Sequence, residues 1–286
     1  MKLTILVDNN TIIDRYLSGE PGVSYLIETE DIKILFDTGY SDMFIQNAKK
    51  LNINLLDIDY LVLSHGHIDH TGGLDPLLKL YAEESFEHIA LKGRSIKRKK
   101  PNLVAHPDTL LRKYIPDTVE IGTFIGKENL YPFFDLNLNR SPVKITEKLL
   151  FLGEIERKNN FEALEPIGKT VIKGQESPDF LLDDSAMVYA SEKGLVIITG
   201  CSHAGICNII SYAQKITGIS KIVDVIGGFH LLDPPEMQMK ETTSFIKNIK
   251  PETMHACHCT DLHSKIKLSN VVKLEEVGSG LVLEYS

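Results

Sequence analysis

Six consecutive residues, His65-Gly66-His67-Ile68-Asp69-His70, constrain this chain more than any other feature. Three imidazoles and a carboxylate in so short a span are costly to bury without a partner. An apolar stretch, Tyr60 to Leu63, precedes them, and Gly72-Gly73 follows. The segment therefore reads as a strand running into a closely wrapped loop. Side chains along extended backbone repeat every two residues, which points His65 and His67 to one side, where they reach one ion. Asp69 and His70, beyond the turn, reach a second. Imidazole and carboxylate donors suit zinc, iron or manganese at about 2.0–2.2 Å.

Composition narrows the function classes. The net charge of −8 makes nucleic acid an unlikely partner, because such binding runs on Lys and Arg. No apolar run approaches the roughly 18–20 residues of a membrane span. The first residues, MKLTILVDNN, read as a strand rather than an export signal. Cys201, Cys207, Cys257 and Cys259 form no Cys-x-x-Cys pair, and the expected location is the reducing cytoplasm. The expected partner is a small-molecule substrate, with homo-oligomerisation left open.

Residues 23–37 read as two strands around a turn at Glu30 and Asp31, and Phe44, Ala48 and Leu51 have helical spacing. Another helix is expected with Asp75 as its cap and Pro76 at its first position, followed by a strand over HIALKG. Residues 93–175 hold six of the twelve prolines and show no clean period, so they are expected as an irregular insertion shaping the pocket of a single domain, 1–286. From Asp183 a strand pair and then three strand–loop–helix units follow. The three strands end in His203, His230 and His258, where α/β folds place chemistry.

LFDTG at Leu35 to Gly39, HGHIDH, TGCSHAGI, GGFHL and CHCT together resemble the metallo-β-lactamase superfamily. Within it they are similar to the metal-dependent hydrolases of β-lactamase superfamily II, a group that includes dihydropterin–ribofuranosylaminobenzene-phosphate synthases. The resemblance implies an α/β fold, the four-layer αββα sandwich, with metals at one edge between the sheets. It implies a dinuclear divalent site, with zinc expected first and iron or manganese as alternatives. His65, His67 and His203 would hold one ion, with Asp69, His70 and His258 around the other. Asp69 would also accept or orient the proton of a water, and Asp37 would support the histidine loop.

The superfamily's usual Thr-Gly-Asp is Thr-Gly-Cys here. Either Cys201 is a thiolate ligand or His203 has taken over ligation, and His203 is preferred. Ligation by His230 or by Asp184 is left open. Arg94, Lys97 and Arg98, in a run of five positive charges, are candidate clamps for a substrate phosphate. Free N–H groups at a helix start near Ala204 would also suit an anion.

The expected activity is hydrolysis of a small anionic or phosphorylated metabolite through a metal-activated water. The alternatives are a synthase-type transferase, a non-catalytic metal-binding protein and di-iron electron transfer. Relatives of the last kind usually carry Glu where His67 stands.

Overall fold

The computed structural model describes residues 1–29, 31–93 and 99–286. Seven strands form one sheet, in the order Val282–Glu284, Lys2–Val7, Ser24–Glu28, Lys33–Phe36, Tyr60–Val62, Asn102–Ala105 and Asp135–Leu138. Its first three pairings are antiparallel and its last three parallel. Six strands form a second sheet, in the order Thr253–Cys257, Ile222–Gly228, Gly194–Thr199, Ala186–Ser191, Leu149–Phe151 and Val143–Lys144.

Both faces of each sheet are covered, which is why the central strands read as continuous apolar runs. Ile5 points inward, with Tyr25, Phe36 and Val62, onto Phe151, Met187 and Ile198 of the other sheet. Its neighbour Leu6 points outward and packs with Leu35, Leu61 and Phe44, the last on helix Met43–Lys50. Leu77 and Tyr81 of helix Leu74–Lys92 cover the same face. Behind the second sheet, Ile197, Val225 and Met254 meet Ile209 and Ile210 of helix Ile206–Thr217, together with Ile246 and Leu268. The layers are thus αββα, as expected.

Three sequence expectations are corrected. The described part of 93–175 is not irregular: Asn102–Ala105 and Asp135–Leu138 complete the first sheet, while Val143–Lys144 and Leu149–Phe151 extend the second. Lys113–Ile115, Val119–Glu120 and Lys169–Ile172 join Gln175–Pro178 in a four-stranded sheet. Strands of two to four residues are too short to show a period. HIALK is helical rather than a strand, because helix Leu74–Lys92 continues until Gly93, whose φ of 63° ends it with a bond from its N–H to the Ile89 carbonyl. That helix starts after Gly73, which puts Asp75 in its first turn rather than at the cap. No helix among the described residues is long and apolar enough to cross a membrane.

Candidate metal centre

Four strand ends deliver the chemistry to one place. Strand Tyr60–Val62 leads to His65 and His67, and the short helix Ile68–Thr71 carries Asp69 and His70. Strand Gly194–Thr199 leads to Cys201 and His203, strand Ile222–Gly228 to His230, and strand Thr253–Cys257 to His258. All four lie in the parallel parts of the two sheets, so their C-terminal ends face the same way. Ring centroids of His65, His67 and His203 lie 4.7–4.8 Å apart, and His70 lies 5.0 Å from His258.

Asp37 fixes the orientation of two of these rings. Its Oδ1 accepts the Ser64 N–H at 2.7 Å, and its Oδ2 lies 2.7 Å from His70 Nδ1. Ser64 Oγ donates to the same Oδ2 at 2.7 Å and so accepts from His65 Nδ1 at 3.0 Å. Both imidazoles therefore carry their proton on Nδ1 toward this support, leaving Nε2 for the cluster. His258 follows the same logic, with Nδ1 2.8 Å from Asn9 Oδ1 and its backbone N–H donating to Asp8. Sequence reasoning missed Asp8 and Asn9. Their only signal was a polar Asp-Asn-Asn directly after an apolar strand.

The atoms left over define what the cluster lacks. His65 Nε2, His67 Nε2 and both ring nitrogens of His203 are buried without a hydrogen-bond partner. Burial, reinforced by neighbouring imidazoles, holds His65 and His203 well below the usual histidine range, and burial pulls His67 down to about 4. These rings are neutral near pH 7, as ligands must be. Burial works against charge on His70, but Asp69 and Asp37 outweigh it and push the ring up to about 9. Burial likewise opposes ionisation of Asp69, yet His70 and the bond from His258 hold its carboxyl well below the usual range. Among the described residues, donor atoms within 4.8 Å of one another fall into three sets: Asp69, His70, Cys201 and His258; His65, Cys201 and His203; and His65, His67 and Asp69. A donor set of imidazoles, one carboxylate and a thiol fits a divalent cation of the zinc or iron type.

A buried charge network supports the loop from below. Lys113 Nζ lies 2.9 Å from Asp179 and 2.8 Å from Asp183, and the other oxygen of Asp183 accepts the Gly66 N–H at 2.8 Å. Neither Lys113 nor Asp179 was legible as a site residue, because their partners come from distant strands. Gly66 leaves no room for a side chain: a Cβ there would lie 2.2 Å from the Thr109 carbonyl oxygen. Gly66→Ala is expected to cost about 1–3 kcal/mol in urea unfolding, because backbone rather than a flexible side chain blocks it.

The other candidate residues divide. Asp184 joins none of the donor sets. One of its oxygens accepts the Ala204 N–H at 2.8 Å, steadying the His203 loop, and burial raises it to about 7. His230 also stays outside those sets, though its ring lies 4.3 Å from that of His203. It borders a cavity of about 440 Å³ walled by Phe161, Leu164, Ile167 and Phe180 as well as His203. The expected anion site at the following helix is corrected. Glu162 already accepts the N–H groups of Cys207 and Asn208 at 3.0 and 3.1 Å, and Asp184 takes that of Ala204. Arg94, Lys97 and Arg98 lie outside the described residues. His106 and His255 bond Glu154 and Asp224, away from the cluster.

An αββα sandwich whose strand ends gather His, Asp and Cys donors defines a class, and the chain belongs to the metallo-beta-lactamase superfamily, whose profile matches residues 17–139. It is 32% identical over 278 residues to the 7,8-dihydropterin-6-methyl-4-(beta-D-ribofuranosyl)-aminobenzene-5'-phosphate synthase of Methanocaldococcus jannaschii, covering 92% of this chain and 90% of that protein. A solved metal-dependent hydrolase of the beta-lactamase superfamily superposes with a TM-score of 0.80 at 28% identity, over 100% of this chain and 99% of that one. Zinc-bound PqqB from Methylobacterium extorquens shares the fold, with a TM-score of 0.52 at 12% identity and coverage of 99% and 100%.

Proposed function

We propose that this chain is a metal-dependent hydrolase of a small anionic or phosphorylated metabolite, with two divalent cations, zinc first, between its histidine sets. The observation that carries this reading is that His65 and His67, whose Nε2 atoms are buried without partners, stand in one donor set with Asp69. His65, His67 and His203 would hold one cation, with His70 and His258 at the other and Asp69 within reach of both. Cations bound there would supply Lewis-acid polarisation of a substrate oxygen and lower the pKa of a water. Asp69, kept ionised, orients the proton of an attacking water rather than storing it. Asp37 and Asn9 hold their histidines against rotation, so little reorganisation accompanies the reaction. The cavity beside His203 and His230 takes the organic part of the substrate against Phe161 and Phe180.

A second reading, a synthase that builds a product bearing a dihydropterin and a ribofuranosyl phosphate, is favoured by the 32% identity to a protein of that name over 92% of the chain. The same aromatic walls would then stack a pterin ring.

One experiment separates them. Metal content is measured on purified protein and on His67→Ala, and the loaded protein is offered phosphoesters and lactones, then a phosphorylated dihydropterin with an aminobenzene ribofuranoside phosphate. About two ions per chain, fewer in the variant, with cleavage of a single substrate is the expected result. A coupled product without cleavage replaces the hydrolase with the synthase. Full loading without turnover of either kind overturns both in favour of a metal-binding protein. Phe161→Ala is expected to raise KM by up to about tenfold with kcat little changed, since the ring contributes to uniform binding.

A further inference from the structure

We infer a second cation site, separate from the histidine cluster, with His255 as its nitrogen donor. Strand Thr253–Cys257 is the edge strand of the second sheet, beside Ile222–Gly228. Side chains alternate along a strand, so Asp224 shares a side with Ile226 and His255 with Cys257, both of which pack between the sheets. Asp224 is 1% exposed and His255 6%. The Tyr285 hydroxyl donates to Asp224 Oδ2 at 2.6 Å, and His255 Nδ1 lies 2.8 Å from that oxygen and 3.0 Å from Oδ1. The carboxylate accepts from both groups. In the neutral ring Nδ1 therefore carries the proton and Nε2 the free lone pair.

A carboxylate on one ring nitrogen is how proteins orient a histidine whose other nitrogen binds a metal. Here the other nitrogen is free, because Nε2 makes no hydrogen bond to any described residue. His255 borders a cavity of about 540 Å³ together with Arg15, Thr253, Glu275 and Glu276. With Nδ1 turned inward to Asp224, the Nε2 edge of the ring is the one that meets this cavity. Lys273 pairs with one oxygen of Glu275 and leaves the other, and Glu276 pairs with no described cation. Two carboxylates on the wall outweigh the guanidinium of Arg15, and Asp224 adds a third behind the ring. The cavity thus favours a cation over an anion.

An imidazole with carboxylates suits zinc better than magnesium or calcium, which take oxygen donors. No three of these donor atoms stand within 4.8 Å of one another, as those of the histidine cluster do. Binding is therefore weaker than at the cluster, with a glutamate arm moving in and water completing the coordination. Glu275 is already tied to this edge, since its N–H bonds the Met254 carbonyl at 2.9 Å. A cation on His255 fastens the same C-terminal segment to the strand that leads to His258. The inference stands apart from the catalytic reading above.

The test uses the full chain and zinc alone, with bound zinc measured by equilibrium dialysis and elemental analysis. The wild-type chain is expected to take up one further ion at higher free zinc, after the histidine cluster has filled. That ion should be absent in His255→Gln and kept in His67→Ala and in His263→Gln, whose histidine is exposed. Asp224→Asn should weaken it by about 10–100-fold. Glu275→Gln combined with Glu276→Gln should also weaken it. Those two side chains reach solvent, which keeps the test valid should His255→Gln fail to fold. A further ion that persists in His255→Gln, keeps its affinity in the double glutamine variant or vanishes in His263→Gln overturns the site. Filling of the histidine cluster with no further uptake overturns it too, while leaving that centre standing. Uptake of the weak ion alone, lost in His255→Gln, supports the site and overturns the catalytic centre instead.

Discussion

Lys113→Met is expected to destabilise the protein by about 3–5 kcal/mol, the cost of breaking a buried charge network by removing one partner. Lys113 is 1% exposed, and its ammonium is the cation between Asp179 and Asp183. Without it two carboxylates remain buried in close proximity. The loss should appear as a lower urea midpoint at an unchanged m-value. Lys113→Met combined with Asp179→Asn and Asp183→Asn should recover much of it, since the uncompensated charges are then gone. The pH dependence has a definite sign. Burial opposes ionisation of Asp183, but Lys113 outweighs it and holds the carboxyl below the usual aspartate range. Its contribution is therefore present above the unfolded aspartate pKa and lost as pH falls through the lower folded value. In Lys113→Met the same carboxylates are relieved by protonation. The gap between wild type and variant should narrow as pH falls from neutrality toward the aspartate range. A gap that widens in acid would refute the network.

Asp37→Ala is expected to weaken metal binding by about 10–100-fold, although Asp37 belongs to none of the donor sets. One carboxylate holds the Ser64 N–H, the Ser64 hydroxyl and His70 Nδ1, and through Ser64 it sets the proton on His65. Removing it frees both rings to turn or change tautomer. Competition against a chromogenic chelator would read the effect. Asp37→Asn, which can keep part of the network, should lie between Ala and wild type. Equal affinities in all three would show that the histidine loop is held by packing alone. Asp37 itself has a φ of 55°, unusual for a residue with a side chain, which fits a position fixed by its bonds.

Much of the centre was legible because its chemistry is local in sequence. The HGHIDH segment announces itself, since no other arrangement makes so many buried imidazoles affordable. Each of the later strands is followed within four residues by its histidine, and those histidines do gather in space. The fold was legible by resemblance and by the long apolar strands, but the short strands between 102 and 178 were not, because their partners lie far away in the chain.

The sequence by itself determined which residue types could bind a metal and which strand ends would carry them. Only the tertiary structure decided which of those side chains stand against one another and which stand apart. It put Cys201 against His70 and His258 and left Asp184 to hold a loop. It closed the helix start near Ala204 with Glu162, and made Lys113 the anchor of Gly66. The physical reason is one of range. Side-chain type and local period travel with the chain, whereas a hydrogen bond or a coordination corner is settled within about 3 Å, between atoms whose separation in sequence carries no signal.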